Sequence, residues 1–197
     1  MFFKHQTAEI STEAVIGKNT KIWHYVQIRE RSIIGENCII GKNVYIDFDV
    51  VIGSNCKIQN NCSIYHGAVI GNGVFIGPNV VITNDKMPRA VNEDGTLKKS
   101  SDWKLTITSI QKGASIGSSS VILPGLTIGQ YSMIGAGSVV SKNVPDFAIV
   151  FGNPANIHGY ICVCEKRIIF KKNSLTYKCR CGRMYNNNNG KLTFKHV

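Results

Sequence analysis

Residues 28–58 read IRERSIIGENCIIGKNVYIDFDVVIGSNCKI and carry an isoleucine at every sixth position. The period extends in both directions over thirteen isoleucines, and after a gap it resumes over residues 110–140. A chain that wraps a triangular prism, with one short strand on each face, repeats in this way, so that one coil has about 18 residues. The periodic positions are Ile10, Ile16, Ile22, Ile28, Ile34, Ile40, Ile46, Ile52, Ile58, Ile64, Ile70, Ile76, Ile82, Ile110, Ile116, Ile122, Ile128, Ile134 and Val140.

The residues around each isoleucine predict how the coil is built. A small or medium residue stands two positions earlier, and side chains alternate along a strand, so both residues point into the prism. Cys38, Cys56 and Cys62 occupy this inward position and are predicted to fill the core. Glycine often follows the isoleucine and asparagine often stands three positions after it, since both tolerate the dihedral angles of a corner. We therefore predict an all-β fold, a parallel β-helix of about six coils and roughly 30 Å in height.

A polar segment at residues 83–109, TNDKMPRAVNEDGTLKKSSDWKLTITS, interrupts the period. It is longer than a corner needs, and long loops inside a compact fold are typically functional. A neutral insertion is the alternative, because stacked repeats tolerate insertions in loops. We predict a β-helical domain over residues 1–157 that carries this inserted loop, followed by a small appendage over residues 158–197.

The coil length predicts which side chains stack at the foot of the loop. Asn84 is expected one coil above His66, and Asp85 two coils above Asp49. A histidine beside an amide and a carboxylate suits proton transfer, although a solvated surface histidine is the alternative. The predicted column comprises Arg29, Glu30, Arg31, Asp47, Asp49, Tyr65, His66, Asn84 and Asp85.

The appendage is basic and rich in cysteine. Residues 158–197 hold nine Lys or Arg and one acidic residue, so most of the net charge of +11 lies there. Basic tails can bind nucleic acid or acidic surfaces, but we interpret this one as aiding solubility and predict no nucleic-acid partner. Apolar segments separated by turn-like residues 172–174 and 186–190 predict two small hairpins, a β-hairpin appendage to the prism.

Four cysteines in two pairs bracket the first of these hairpins. Such pairs suggest a zinc ribbon, but ribbons usually have C-x-x-C spacing, whereas Cys162 and Cys164, like Cys179 and Cys181, are separated by one residue. We therefore predict free thiols, with a structural zinc and disulfides as alternatives.

The first ten residues, MFFKHQTAEI, lack the apolar run of a signal peptide, and no stretch approaches the roughly 20 apolar residues of a membrane span. We predict a cytoplasmic protein without membrane insertion, in which thiols stay reduced.

Four segments of the sequence indicate a protein family. They are KIWHYVQIRERSIIGENCIIGKNVYID at 21–47, VFIGPNVVITNDKMPRA at 74–90, KGASIGSSSVILPGLTIGQYSMIGAGSVV at 112–140 and NVPDFAIVFGNPA at 143–155. Together they resemble the hexapeptide-repeat nucleotide-sugar 3-N-acetyltransferases, over about residues 8–160. The resemblance implies a left-handed β-helix, a homotrimer, and acetyl-CoA in the groove between adjacent prisms. The implied reaction transfers an acetyl group to the 3-amino group of a UDP- or dTDP-linked aminosugar, for surface glycans.

The resemblance also implies roles for individual residues. Asn84 and Asp85 fall at the sugar end, together with Arg29 and Glu30, and Arg31, Tyr65 and His66 complete the expected substrate site. Asn84 or a backbone N–H would stabilise the oxyanion, and His66 or Asp85 would accept the amine proton unless the CoA thiolate takes it. The stretches expected to line the cofactor are Gly135–Ala136, Ser141–Lys142 and Asn153–Pro154–Ala155, with Lys112 and Lys142 as candidate phosphate partners.

Two other readings of the chain stay open. One is a different hexapeptide acyltransferase, acting on a hydroxyl or carrying a longer acyl chain. The other is a non-enzymatic scaffold with a basic binding tail. A three-histidine metal site of the kind found in carbonic-anhydrase relatives of this fold is not expected, because His24 and His66 are seven repeats apart and so fall on different faces.

Overall fold

The protein folds as a stack of short strands wound around a triangular prism. The structure is a computed structural model and describes residues 1–171, 174–188 and 191–195. Successive strands pass from face A to face B to face C, and each pairs in parallel with the strand one coil later, as Lys21 does with Ile39. The left-handed parallel β-helix predicted from the period and the resemblance is confirmed.

The strands of each face are two or three residues long, apart from the last strands of face A. Face A contains Phe3–Lys4, Lys21–Ile22, Ile39–Ile40, Lys57–Ile58, Phe75–Ile76, Ser115–Ile116, Met133–Ile134 and Ala148–Gly152, and then Ala155–Ile161 and Arg167–Ile168 in antiparallel pairing. Face B contains Glu9–Ile10, Gln27–Ile28, Tyr45–Ile46, Ser63–Ile64, Val81–Ile82, Val121–Ile122 and Val139–Val140. Face C contains Val15–Ile16, Ile33–Ile34, Val51–Ile52, Ala68–Ile70, Thr108–Ile110 and Thr127–Ile128.

The stack is slightly taller than the predicted six coils. Face B has seven strands and face C has six, and face A gains strands at both ends, at Phe3–Lys4 and Ala148–Gly152. These added strands lie outside the isoleucine period, which is why the sequence pattern did not count them.

The inward positions form one continuous apolar core. Ile40, Ile58 and Ile76 are completely buried, as most of the periodic isoleucines are. The inward cysteines are also fully buried, and the thiol of Cys56 donates to the carbonyl oxygen of Gly71 at 3.2 Å. Cys38, Cys56 and Cys62 are therefore core residues, as predicted.

The asparagines at the corners adopt the unusual backbone angles that were predicted for them, but the glycines have a different role. Asn37 and Asn55 adopt left-handed backbone angles, with φ of 56° and 61°. The glycine after each isoleucine does not: a Cβ on Gly35 would lie 2.6 Å from the backbone nitrogen of Ser54, in the next coil. The prediction that these glycines supply unusual dihedral angles is wrong, and close stacking of adjacent coils requires them instead.

The inserted loop ends earlier than expected. The strand Thr108–Ile110 already belongs to face C, so the loop runs over residues 83–107. Val81 pairs with Val121, 40 positions later, so the stack continues across the insertion without loss of register. Within the loop, Val91 and Leu97 form an antiparallel bridge and Ser100–Asp102 forms a single 3-10 turn.

The appendage begins on the prism and ends in a separate sheet. Thr176–Lys178, Met184–Asn188 and Lys191–Lys195 form a three-stranded antiparallel sheet, called the C-terminal sheet below. The first predicted hairpin is not formed, because Arg167–Ile168 pairs with Ala155–Ile161 at the edge of face A. The boundary predicted at 157/158 thus falls inside a strand. Of the predicted turn residues, 172, 173, 189 and 190 lie outside the described residues.

In the described part of the chain, no helix has both the length and the apolar character that a membrane span requires.

Candidate active site

A cleft lies at the corner between faces B and C, at the foot of the inserted loop. Its volume is about 410 Å³. The prism contributes residues that follow three successive face B strands, and the loop folds back to form the opposite wall. This surface, called the B–C cleft below, is lined by Asp47, Phe48, His66, Asn84, Asp85, Arg89, Ala90, Lys98, Lys99 and Trp103. The structure thus brings His66, Asn84 and Asp85 together.

His66 is held in one orientation by the coil below it. Its Nδ1 lies 3.0 Å from the carbonyl oxygen of Phe48, and its ring stacks on the Phe48 ring with centroids 4.1 Å apart. A carbonyl oxygen only accepts, so Nδ1 carries the hydrogen and Nε2 keeps its lone pair. Nε2 has no hydrogen-bond partner among the described residues, and the side chain is 19% exposed. The imidazole is therefore oriented as a proton acceptor.

Asp47 is a buried carboxylate that fixes the corner. Its Oδ1 accepts from Arg29 Nη1 at 2.9 Å, from the Tyr45 hydroxyl at 2.9 Å and from the Phe48 amide at 3.0 Å. Its Oδ2 accepts from the His66 amide at 3.2 Å. With this many donors the carboxylate is satisfied within the protein, so Asp47 acts as a support for the backbone that carries His66.

The predicted substrate-binding arginines are engaged with carboxylates of the prism. Arg31 makes two hydrogen bonds to Asp49, at 2.7 and 3.1 Å, and these bonds hold the pKa of the Asp49 carboxyl below its usual range. Arg29 bonds to Glu30 at 2.7 Å and lies over the Phe48 ring, 5.0 Å from its centroid. These residues stand beneath the B–C cleft, where they support its floor.

Glu30 and Tyr65 are placed outside the cleft. Glu30, like Arg29, borders a separate groove lower on the prism, with Glu9 and Ser11. Tyr65 is exposed and packs against Tyr45, with ring centroids 5.7 Å apart.

Asn84 and Asp85 differ in how they are held. The Asp85 Oδ1 accepts the Met87 amide at 2.9 Å and so caps the first turn of the loop. The Asn84 side chain makes no hydrogen bond to any residue in the described ranges, and it is only partly exposed. Its amide group is therefore available to a ligand in the cleft.

The residues predicted to line the cofactor or to meet its phosphates fall at all three corners of the prism. Ser141 and Lys142 follow the last face B strand, two coils above Asn84 on the same edge of the prism. Lys142 and Ala155 also line a groove of about 310 Å³ at the carboxyl-terminal end of the prism. Gly135–Ala136 and Asn153–Pro154 instead follow face A strands and lie at the A–B corner, and Lys112 lies at the C–A corner. A single chain therefore does not bring all of the predicted cofactor-binding residues together.

Sequence reasoning missed the loop side of the cleft. Arg89, Lys98, Lys99 and Trp103 face His66 and Asn84 from the loop wall. The only available signal was composition, namely paired lysines and a tryptophan in an otherwise polar insertion. The 18-residue register ends at residue 82 and resumes in Thr108–Ile110, so the pattern could not place them.

Comparison with known proteins identifies the repeat. The family model described as bacterial transferase hexapeptide (six repeats) matches residues 13–47, 49–84 and 107–142, which is more than half of the chain. The structure resembles that of the UDP-N-acetylglucosamine acyltransferase of Francisella novicida, with a TM-score of 0.51, 18% identity, and coverage of 81% of this chain and 68% of that one. That likeness concerns the fold alone.

Two curated relatives align over shorter segments. A dTDP-3-amino-3,6-dideoxy-alpha-D-galactopyranose 3-N-acetyltransferase of Aneurinibacillus thermoaerophilus is 50% identical over 78 residues, 40% of this chain and 40% of that protein. A galactoside O-acetyltransferase of Lactococcus lactis subsp. lactis (strain IL1403) is 42% identical over 48 residues, 24% of this chain and 23% of that protein. The match thus spans well under half the length of either relative. On the strength of its repeats, the chain belongs to the bacterial transferase hexapeptide family.

Proposed function

We propose that this protein transfers an acetyl group from acetyl-CoA to the 3-amino group of a nucleotide-linked aminosugar, for surface-glycan synthesis. The observation that carries the proposal is the B–C cleft, in which an oriented imidazole and a free amide meet under a cationic loop. Between the two nucleotides expected from the sequence, dTDP is favoured over UDP, because the relative that is 50% identical is named for a dTDP-linked 3-amino sugar.

The chemistry assigns one task to each side chain. The neutral amine attacks the thioester carbon, the carbonyl oxygen becomes an oxyanion, and the C–S bond then breaks to release CoA. The Asn84 amide donates to the developing oxyanion or aims the amine, and such a donor is worth about 10²–10³-fold in rate. His66 Nε2 accepts the amine proton, and Asp85 holds the start of the loop that carries Asn84.

The loop wall suits the nucleotide. Arg89, Lys98 and Lys99 place three cations on one side of the cleft, which matches the charge of a diphosphate. Trp103 adds an aromatic surface on which a base can stack. The sugar then lies between the loop and His66, with its amine toward the prism.

Acetyl-CoA is proposed to extend up the prism from the same cleft. Lys142 lies on the edge two coils above Asn84, where its ammonium can meet a CoA phosphate. The remaining predicted cofactor residues, Gly135, Ala136, Asn153 and Pro154, lie at another corner. A cofactor bound between two adjacent prisms would contact one corner of each.

We further propose a homotrimer with sites between subunits, which this arrangement supports. Face C carries an outward column of apolar residues, Val15, Ile33, Val51 and Val69, which are 38–60% exposed. Such a continuous apolar column in water is typical of an interface. It borders the corner that holds the B–C cleft, so a second subunit seated on face C would close that cleft.

The cytoplasm is the proposed location. None of the seven cysteines forms a disulfide, although four of them are neighbours in the appendage, and a reducing compartment maintains that state.

O-acetylation is the second candidate. The galactoside O-acetyltransferase relative and the oriented imidazole both favour it, since a hydroxyl nucleophile depends on a general base. The size of the rate loss in a His66 variant distinguishes the two reactions.

The test is a thiol-release assay with acetyl-CoA and a panel of nucleotide-linked sugars. The panel pairs dTDP- and UDP-linked 3-amino sugars with the corresponding 3-hydroxy sugars. CoA release with a 3-amino sugar, together with its N-acetyl product by mass spectrometry, is the expected result. Release with hydroxy sugars alone would identify an O-acetyltransferase, and no release with any of them would exclude the proposed function.

A further inference from the structure

The appendage brings four cysteines into one small cluster. The Sγ atoms of Cys162, Cys164, Cys179 and Cys181 all lie within 4.8 Å of one another. Three of the Sγ–Sγ distances are 3.3, 3.5 and 3.5 Å. A disulfide needs about 2.05 Å, whereas four sulfurs around a zinc ion at about 2.3 Å would be about 3.8 Å apart. This four-cysteine cluster therefore has nearly the size of a tetrahedral zinc site.

The cluster is built from two turns of the same conformation. In the first, the Cys162 amide donates to the Lys166 carbonyl at 2.8 Å, and Glu165 has a φ of 67°. In the second, the Cys179 amide donates to the Arg183 carbonyl at 2.9 Å, and Gly182 has a φ of 90°. The left-handed residue stands three positions after the first cysteine in both turns. Each turn presents both of its thiols to the same point, as the paired turns of a zinc ribbon do.

Side-chain donors point at two of the four sulfurs. The Tyr185 hydroxyl lies 3.0 Å from Cys162 Sγ, and Arg183 Nη1 lies 3.2 Å from Cys181 Sγ. Hydrogen bonds of this kind stabilise and orient ligating thiolates. The surroundings are strongly basic, which offsets the negative charge that four thiolates and one divalent cation would carry.

The cluster also lies where a crosslink is needed. Cys162 and Cys164 directly follow the strand Ala155–Ile161 of face A, whereas Cys179 and Cys181 lie in the turn between two strands of the C-terminal sheet. The apolar core between these parts is small, and Phe147, Tyr185 and Leu192 are its main buried side chains. A unit of this size usually depends on a metal or a disulfide.

We propose that the four-cysteine cluster binds one zinc ion in a closed structural site that fastens the C-terminal sheet to the last coil of the prism. The four thiols lose their protons on binding, and all four positions of the metal are filled by protein. The site is independent of the proposed acetyl transfer, because the B–C cleft is built from other residues.

The first experiment measures metal in the full-length protein, purified without chelator and without added zinc. Mass spectrometry of the metal content should find about one zinc per chain. Cys164→Ser combined with Cys181→Ser should lower the zinc content at least about tenfold. Cys62→Ser is the matched control, because serine occupies the same inward position at Ser120 and Ser138, and it should keep the full zinc content.

A second measurement does not depend on the double variant folding. Protein refolded with Co²⁺ should show the visible absorption of a tetrahedral thiolate site, and adding zinc should abolish it. A thiol-modifying reagent should release zinc from the wild-type chain as the cluster reacts. Absence of both zinc and the cobalt spectrum, full zinc content in the double variant, or iron in place of zinc would overturn the proposal.

Discussion

The Nδ1 atom of His66 lies 3.0 Å from the carbonyl oxygen of Phe48, its neighbour one coil below. This contact sets the tautomer, because the carbonyl oxygen can only accept, and it leaves the Nε2 lone pair for a ligand. The coil geometry thus orients the imidazole through a backbone carbonyl, while the Asp49 carboxylate lies 3.9 Å from the same nitrogen. Asp47 contributes through the backbone, by accepting the amides of Phe48 and His66 at 3.0 and 3.2 Å.

His66→Ala is expected to lower kcat by about 10²-fold and to leave the KM for acetyl-CoA nearly unchanged. The loss is moderate because an amine can still pass its proton to the departing thiolate. Steady-state thiol release measures both constants, and His24→Ala is the control, since His24 stacks on His5 at the other end of the prism. A kcat that falls less than about threefold would contradict the base assignment, and complete loss would favour a hydroxyl acceptor.

Asn84→Ala is expected to reduce kcat by about 10²–10³-fold, because it removes a donor from the reacting carbonyl or amine. The side chain makes no hydrogen bond within the described ranges, so the melting temperature should not fall. Asn84→Asp, which keeps the size and loses the N–H donor, should be equally impaired. An Asn84→Asp enzyme with wild-type kcat would show that the amide donor has no role.

Removing the loop cations should weaken binding of the nucleotide. Lys98→Ala and Lys99→Ala are each expected to raise the KM for the nucleotide-linked sugar by about tenfold, which corresponds to about 1.4 kcal/mol. The effect should shrink as salt is added, because Lys99 is exposed and Lys98 is partly exposed. Lys18→Ala, at a distant corner, is the control. An equal rise in KM for the free aminosugar, without its diphosphate, would argue against phosphate binding.

A charge on face C should prevent assembly. Ile33→Glu combined with Val51→Glu places two carboxylates in the apolar column, and burying an unpaired charge is strongly unfavourable. Analytical ultracentrifugation should find a trimer for the wild type and a monomer for the variant, and thiol release should be lost with assembly. Lys57→Glu, at an outward position of face A, should leave the trimer intact. A wild-type monomer, or a variant that still forms trimers, would refute this interface.

The prism and the prism side of the B–C cleft could be predicted from the sequence, because both depend on how each coil stacks on the next. An isoleucine at every sixth position fixes three faces, and the 18-residue register then places Asn84 above His66 and Asp47 beside them. Burial of one isoleucine per strand is enforced locally, coil by coil, so the pattern carries through the whole stack.

The loop wall, the cysteine cluster and the role of the glycines were decided only by the tertiary structure. Lys98 and Trp103 reach the cleft through the fold of a loop that has no period, so no register could place them. The four thiols meet because Arg167–Ile168 joins face A and the C-terminal sheet folds back against it, whereas the C-x-C spacing had argued against a zinc ribbon. Gly35 proved necessary for close contact between coils. The contacts of the loop and of the cysteines join residues whose sequence separation follows no repeat. The glycine contact does follow the repeat, but it depends on the distance between adjacent coils, which the period alone does not give.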